Sequence, residues 1–197
     1  MSISIAQRPT IVDRVIPRTV ATDFALVALG VALIAGAAQL TIPMYPVPMT
    51  GQTFAVLLVS MSLGFVRGTI ANIAYVTIGA LGAPIFQNGA SGWSFGPTLG
   101  YLIGFVAASA VVGSLAERGW DKSWFRVAAA FFAGSTVIYV FGLAWLSIFL
   151  GAVGAPNDLL STLTAGLFPF IYGDIAKAVA AAALLPLAWA GVKAFKK

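Results

Sequence analysis

Neither cysteine nor histidine occurs in the 197 residues. That removes thiolate and imidazole metal sites, cysteine nucleophiles, Ser-His-Asp triads and histidine proton relays. No catalytic residue, metal site or cofactor is therefore expected. Charge is scarce as well: 9% of positions are Asp, Glu, Lys or Arg against 60% hydrophobic, and the mean hydropathy is +0.97. A soluble domain of this composition would have far too little polar surface. The apolar runs lack the period-two alternation of an outer-membrane barrel and are rich in helix formers. They are also long enough for bilayer-crossing helices, which need roughly 17 to 25 residues. The expected fold class is all-α, a polytopic membrane protein. In such a protein a net charge of +5 reports topology first and anionic lipid second, and nucleic acid is not an expected partner.

Six spans are predicted, at about 20–40, 52–66, 68–84, 98–116, 127–151 and 166–192, the second and third short enough to tilt or to be partly re-entrant. They form one integral membrane domain, with a short N-terminal segment over about 1–19 and a basic tail after the last span. Arg8, Arg14 and Arg18 before an apolar run from about Phe24 to Ile42 imitate a secretory signal ending in "AGAAQL". The run is longer than a usual signal core and is followed by further spans, so it reads as the first transmembrane helix. Arg67, then Arg118, Lys122 and Arg126, then Lys193, Lys196 and Lys197 fall on the same side of the membrane as those first arginines. By the positive-inside rule both termini are expected in the cytoplasm.

The opposite connections, about 41–51, 84–97 and 152–165, hold no basic residue and one acid, Asp158. Pro43, Pro46 and Pro48 stiffen the first, and Gly89, Gly92 and Gly96 permit tight turns in the second. Such loops have the character of a structured lid. Beneath them, in the outward third of the last span, lie the two charges expected inside the membrane, Asp174 and Lys177, three residues apart and so on one helical face. Intramembrane charges are costly and usually mark function. The pair is open to three readings: a self-neutralising packing bridge, a short proton relay, or a ligand site in which Asp accepts N–H donors and Lys meets a carboxylate.

"IPMYPVPMTGQTF" sets Thr50, Gln52 and Thr53 at the mouth of the second span, where Thr50 equally suits a helix cap after a proline turn. "FQNGASGWSFGPTLGY" interleaves Gln87, Asn88 and Ser91 with Phe86, Trp93, Phe95 and Tyr101, aromatics that also suit a membrane interface. With the charged pair these residues compose an apolar pocket with a few convergent polar groups, the usual recipe for a small-molecule site. In the first span Ala21, Ala25, Ala28, Ala32 and Gly36 recur at helical spacing. They open a close helix contact, within the bundle or with another membrane subunit. Asn72 and Asn157 receive no role.

In order and spacing, "IPMYPVPMTGQTFAVLL", "LGFVRG", "IGALGAPIF", "GPTLGYLIGF" and "YGDIAKAVAAA" resemble the BioY family, the biotin-specific substrate-binding (S) components of energy-coupling factor (ECF) transporters. The resemblance runs from about Ala28 to the end of the last span. It implies a six-helix S-component fold with the vitamin held near the outer surface, and it makes Asp174 and Lys177 the family's Gly-Asp-x-x-Lys pair, Asp174 on the ureido ring. Ligand contacts are accordingly expected from Asp174, Lys177, Gln52, Thr50, Asn88, Trp93, Tyr101 and Phe86. It likens the small-residue stripe of the first span to the family's contact with a transmembrane coupling (T) subunit. It also implies a bacterial inner membrane location and two cytoplasmic ATPases as the source of energy, since this chain has no Walker-type phosphate loop. The chain departs from the family in "QNGASG" and "GPTLG", which carry fewer glycines than the family's loops, and in Tyr172 where the family often has Pro. An S component for thiamin or riboflavin, or a stand-alone proton-coupled carrier, are the alternatives. An integral membrane enzyme has almost no residues to work with.

Overall fold

A computed structural model of the chain describes residues 10–92 and 95–195. The short α1 (Ile11–Val15) leads into α2 (Val20–Gln39), whose first turn is closed by a reciprocal cap. Thr19 Oγ1 accepts from Thr22 N at 3.1 Å and Thr22 Oγ1 from Thr19 N at 2.9 Å. At the far end of α2 the prolines of the first connection prevent another helical turn. The chain instead forms a two-residue antiparallel ladder, β1 (Thr41–Ile42) with β2 (Met49–Thr50), in which Thr41 faces Thr50.

The next element corrects the expected count. Among the described residues five helical stretches, not six, are long and apolar enough to cross a membrane. The segments expected as separate spans at 52–66 and 68–84 are one element, α3 (Gln52–Ala80), bent at Gly64. Gly64 has φ +83 and ψ −172, a conformation that only glycine adopts readily. The reversal is abrupt: a Cβ on Gly68 would lie 2.8 Å from the Ser60 Cα, and Asn72 Nδ2 reaches Ser60 Oγ at 3.4 Å. In a straight helix, residues eight and twelve apart would be separated by about 12 and 18 Å. The two arms, Gln52–Leu63 and Phe65–Ala80, therefore lie side by side. Each is shorter, at about 18 and 24 Å, than the roughly 30 Å hydrocarbon core. No proline-rich loop or run of turn residues separates the arms; the one non-helical residue, Gly64, makes the bend. The Phe65 N–H freed there donates to Glu117 Oε1 at 2.9 Å.

α4 (Leu99–Glu117) and α5 (Trp124–Ala152) follow, joined through Gly119 and a 3₁₀ turn at Trp120–Lys122. The connection expected over 152–165 contains a further helix, α6 (Leu159–Gly166), capped by Asp158, whose Oδ1 accepts from Leu160 N and Ser161 N. The last apolar stretch runs from Leu159 and so begins earlier than expected, and within it a 3₁₀ turn at Phe168–Phe170 separates α6 from α7 (Ile171–Phe195). Asp174 thus falls in the first turn of its helix.

The core lies between α3, α4 and α5, around the fully buried Tyr75, Phe131, Leu57, Met61, Ile138 and Leu146. α2 has few buried positions, Leu26, Gly30, Ile34 and Ala38, and leaves most of its surface open. Below the Gly64 bend, Arg67 joins three helices: it donates to Asp13 of α1 and, at 3.1 Å, to Asp23 of α2. Arg18 adds two bonds of 2.8 Å to Asp13. Burial on its own would raise the Asp13 pKa, but hydrogen bonds from Arg18, Arg67 and Thr10 outweigh it and hold the carboxyl well below its usual range.

Candidate functional site

The bend in α3 returns its second arm to the end where the first began, so Gln52 and Ala80 both reach the connections that follow α2 and α3. Gln52 Nε2 donates to the Tyr75 hydroxyl at 2.7 Å, and that hydroxyl donates to the Ile85 carbonyl at 3.2 Å. Thr50 Oγ1 donates to Gln52 Oε1 at 2.9 Å and accepts from Gln52 N at 3.2 Å. These bonds tie the β hairpin, the mouth of α3 and the following loop together. That loop is pinned from two other sides. Gln39 of α2 donates to the Phe86 carbonyl at 3.0 Å and accepts from Gly89 N at 3.2 Å, while Trp145 of α5 donates to the Gly96 carbonyl at 2.9 Å.

Under this lid lies a cavity of about 290 Å³, near the lower end of the roughly 300 to 1,000 Å³ common for small-molecule sites. Of the expected residues, Asp174, Lys177, Gln52, Thr50, Tyr101 and Phe86 all line it. Asn88 is not among the lining residues: it is exposed, with φ +54, in the 3₁₀ turn Gln87–Gly89. Its neighbours Gln87, Ala90 and Ser91 line the wall instead, because a turn of that shape directs successive side chains apart. Trp93 lies outside the described residues. So do Arg8, Lys196 and Lys197.

Asp174 and Lys177 form an ion pair of 3.2 Å, with side-chain exposures of 15% and 19%. Neither is held by the other alone. Lys177 Nζ also donates to Thr53 Oγ1 of α3 at 2.7 Å, and the Tyr139 hydroxyl of α5 donates to Asp174 Oδ2. Tyr139 stands edge-on to Tyr101, ring centres 6.3 Å apart at 87°. Tyr101 is fixed in turn by its hydroxyl, which donates to the Gly166 carbonyl at 2.9 Å, and by Gly142, where a Cβ would come within 2.5 Å of the ring. The committed hydroxyl leaves Tyr101 an apolar wall. Gln52 likewise has its carbonyl and an amide N–H in use, and serves the scaffold as much as the cavity.

Sequence reasoning did not single out Tyr139 or Ser135, and assigned Thr53 no partner. Ser135 and Tyr139, four apart in α5, are both cavity-lining. A polar pair at helical spacing inside an apolar span was the available signal. Chemically the arrangement offers one carboxylate and one ammonium in a mainly apolar enclosure, a fit for a small molecule with N–H donors and an apolar body.

The BioY family model matches residues 8–194. The chain is 37% identical over 153 residues to the biotin transporter BioY of Thermotoga maritima, covering 77% of this chain and 86% of the relative. It is 35% identical over 159 residues to the biotin transporter BioY2 of Lactococcus lactis, covering 78% and 82%. Among solved structures it is similar to the S-component for biotin from an ECF-type ABC transporter, with TM-score 0.71 and 25% identity over 84% of this chain and 89% of that one.

Proposed function

The chain belongs to the BioY family, and on that premise we propose that it is the biotin-binding S component of an ECF-type importer. It takes the vitamin from the outer side of the membrane and delivers it to the cytoplasm. It is a transport subunit and not an enzyme. The observation that carries the reading is the lidded cavity with Asp174 and Lys177 in its wall. Biotin presents ureido N–H groups to a carboxylate, an apolar thioether bicycle to Tyr101, Phe86 and Phe105, and an acid arm on which a cation can act.

Asp174 is assigned to the ureido ring, Lys177, Thr50 and Gln52 to the polar wall, and Tyr101 and Phe86 to the apolar one. Among the described residues Arg18 and Arg67 meet at Asp13 near the Gly64 bend, and Arg118 follows Glu117, which bonds Phe65 there; this supports cytoplasmic termini in a bacterial inner membrane. The face of α2 that carries Ala21, Ala25, Ala28, Ala32 and Gly36 is exposed at every one of those positions. That is the property needed of a docking surface for the T subunit, which connects the chain to the ATPases.

The test is equilibrium binding of labelled biotin to the purified chain in nanodiscs, with unlabelled biotin, thiamin and riboflavin as competitors. Displacement by biotin alone is expected. Equal displacement by thiamin or riboflavin would reassign the vitamin.

A further inference from the structure

The charged pair is gripped by side chains from two other helices, and this grip has a consequence for selectivity. A carboxylate offers about four acceptor positions and an ammonium three donors. Lys177 occupies a position on Asp174 Oδ1, and Tyr139 one on Oδ2. Of the three N–H groups on Lys177, one goes to Asp174 and one to Thr53. Oδ1 is therefore tethered by Lys177 of its own helix and Oδ2 by Tyr139 of α5, and the carboxylate plane cannot turn without breaking a charge-assisted bond. The tether is itself supported, since Tyr139 rests on Tyr101, and Tyr101 is held by Gly166 and Gly142.

Resting on the biotin reading above, we propose that Tyr139 is a positioning and specificity-determining residue, with Thr53 as its counterpart on Lys177. Tyr139 locks the Asp174 carboxylate so that its remaining lone pairs point in one direction into the cavity. A ligand then binds tightly only if it brings an N–H to that point. A free carboxylate would turn to accommodate a blocked nitrogen. The locked one cannot, and a buried acceptor left unmatched is costly.

The experiment measures binding of biotin and of two analogues, each methylated at one ureido nitrogen, to the wild-type chain and to Tyr139→Phe in nanodiscs. Phenylalanine keeps the ring against Tyr101 and removes only the hydroxyl. Wild type should lose about tenfold or more in affinity for the analogue whose methyl faces Asp174. Tyr139→Phe should bind biotin more weakly while its penalty for that methyl shrinks several-fold. A merely structural role would weaken all three ligands by one factor, and that outcome, or unchanged discrimination, overturns the proposal. Thr53→Val should weaken biotin binding and Thr53→Ser restore it; failure of the serine variant to restore it counts equally against the arrangement.

An infrared difference spectrum of the ligand-free protein, wild type against Asp174→Asn, isolates the Asp174 carboxylate band. Loss of the Tyr139 hydroxyl should shift that band, and an unmoved band contradicts the lock whether or not the variant binds ligand. Failure of wild type to bind biotin at all would instead sink the functional reading. Normal wild-type binding with unchanged discrimination in Tyr139→Phe sinks only the role of Tyr139.

Discussion

Asp174 and Lys177 answer at the residue scale why an apolar helix keeps two charges. They neutralise each other, but the ion pair leaves acceptor and donor capacity facing a cavity, which a pair kept only for packing does not need. A second buried acid, Asp121, lacks that freedom. It is fully buried in the turn between α4 and α5 and accepts from Trp189 Nε1 at 2.8 Å. Lys122 Nζ stands 4.6 Å over the Trp189 ring. Burial raises the Asp121 pKa, against smaller opposing effects from Trp189 and Lys122. The sign follows from linkage: a carboxyl whose folded pKa is raised stabilises fully below its unfolded value and less as pH rises through the folded one. Asp121→Asn should therefore flatten the fall in stability on that side of the titration. Trp189→Phe removes the indole donor to this acid and should destabilise by about 1–3 kcal/mol, read as a lowered thermal midpoint in detergent.

At the scale of elements, the Gly64 bend and the α1 latch form one device. Any β-carbon at Gly64 must tolerate φ +83 and would meet Glu117 Oε1 at 2.8 Å and the Thr10 methyl at 3.0 Å. Gly64→Ala is expected to cost about 1–3 kcal/mol, while Gly36→Ala, with nothing within 4 Å, should leave the fold intact. Thermal midpoints of the two variants compare them directly. Asp13 works in the opposite sense to Asp121. Its folded pKa is lowered, so its contribution is present above the ordinary carboxylate pKa and is lost as pH falls below it. Asp13→Asn should remove that acid-side loss from the stability profile.

These elements also show what the sequence made legible. The apolar runs and basic clusters marked the bilayer helices and the common end of the arginines. The reversal was legible, expected at Arg67 between the second and third spans, but its compactness was not: it falls on Gly64 with no loop residues around it, so the two arms run on as one element. α6 was hidden because Asp158 begins a helix of only eight residues in a segment rich in turn formers. The charged pair stood out because each charge is expensive in hydrocarbon. Tyr139 did not: its spacing from Ser135 marked a polar face on α5, but a tyrosine in an apolar helix announces neither its partner nor the direction of its hydroxyl.

For the whole molecule, the proposed function would set capture and coupling on different parts of the fold. The cavity sits under the lid among α3, α4, α5 and α7, whereas α2 contributes Gln39 to pinning the lid and turns its small-residue face outward. Leucines in place of Ala28 and Ala32 should therefore leave biotin affinity unchanged and abolish co-purification with the T subunit, because the close backbone approach that small residues allow is lost. Equal co-purification of this double variant would move the docking surface elsewhere. The central claim, that a carboxylate inside the membrane holds the vitamin, is tested most directly by calorimetric titration of Asp174→Asn in nanodiscs with biotin, beside wild type. The account predicts a folded protein with saturable wild-type binding and an affinity at least about tenfold weaker in the variant, the worth of a hydrogen bond to a charged group. A folded variant that binds biotin as tightly as wild type would contradict it.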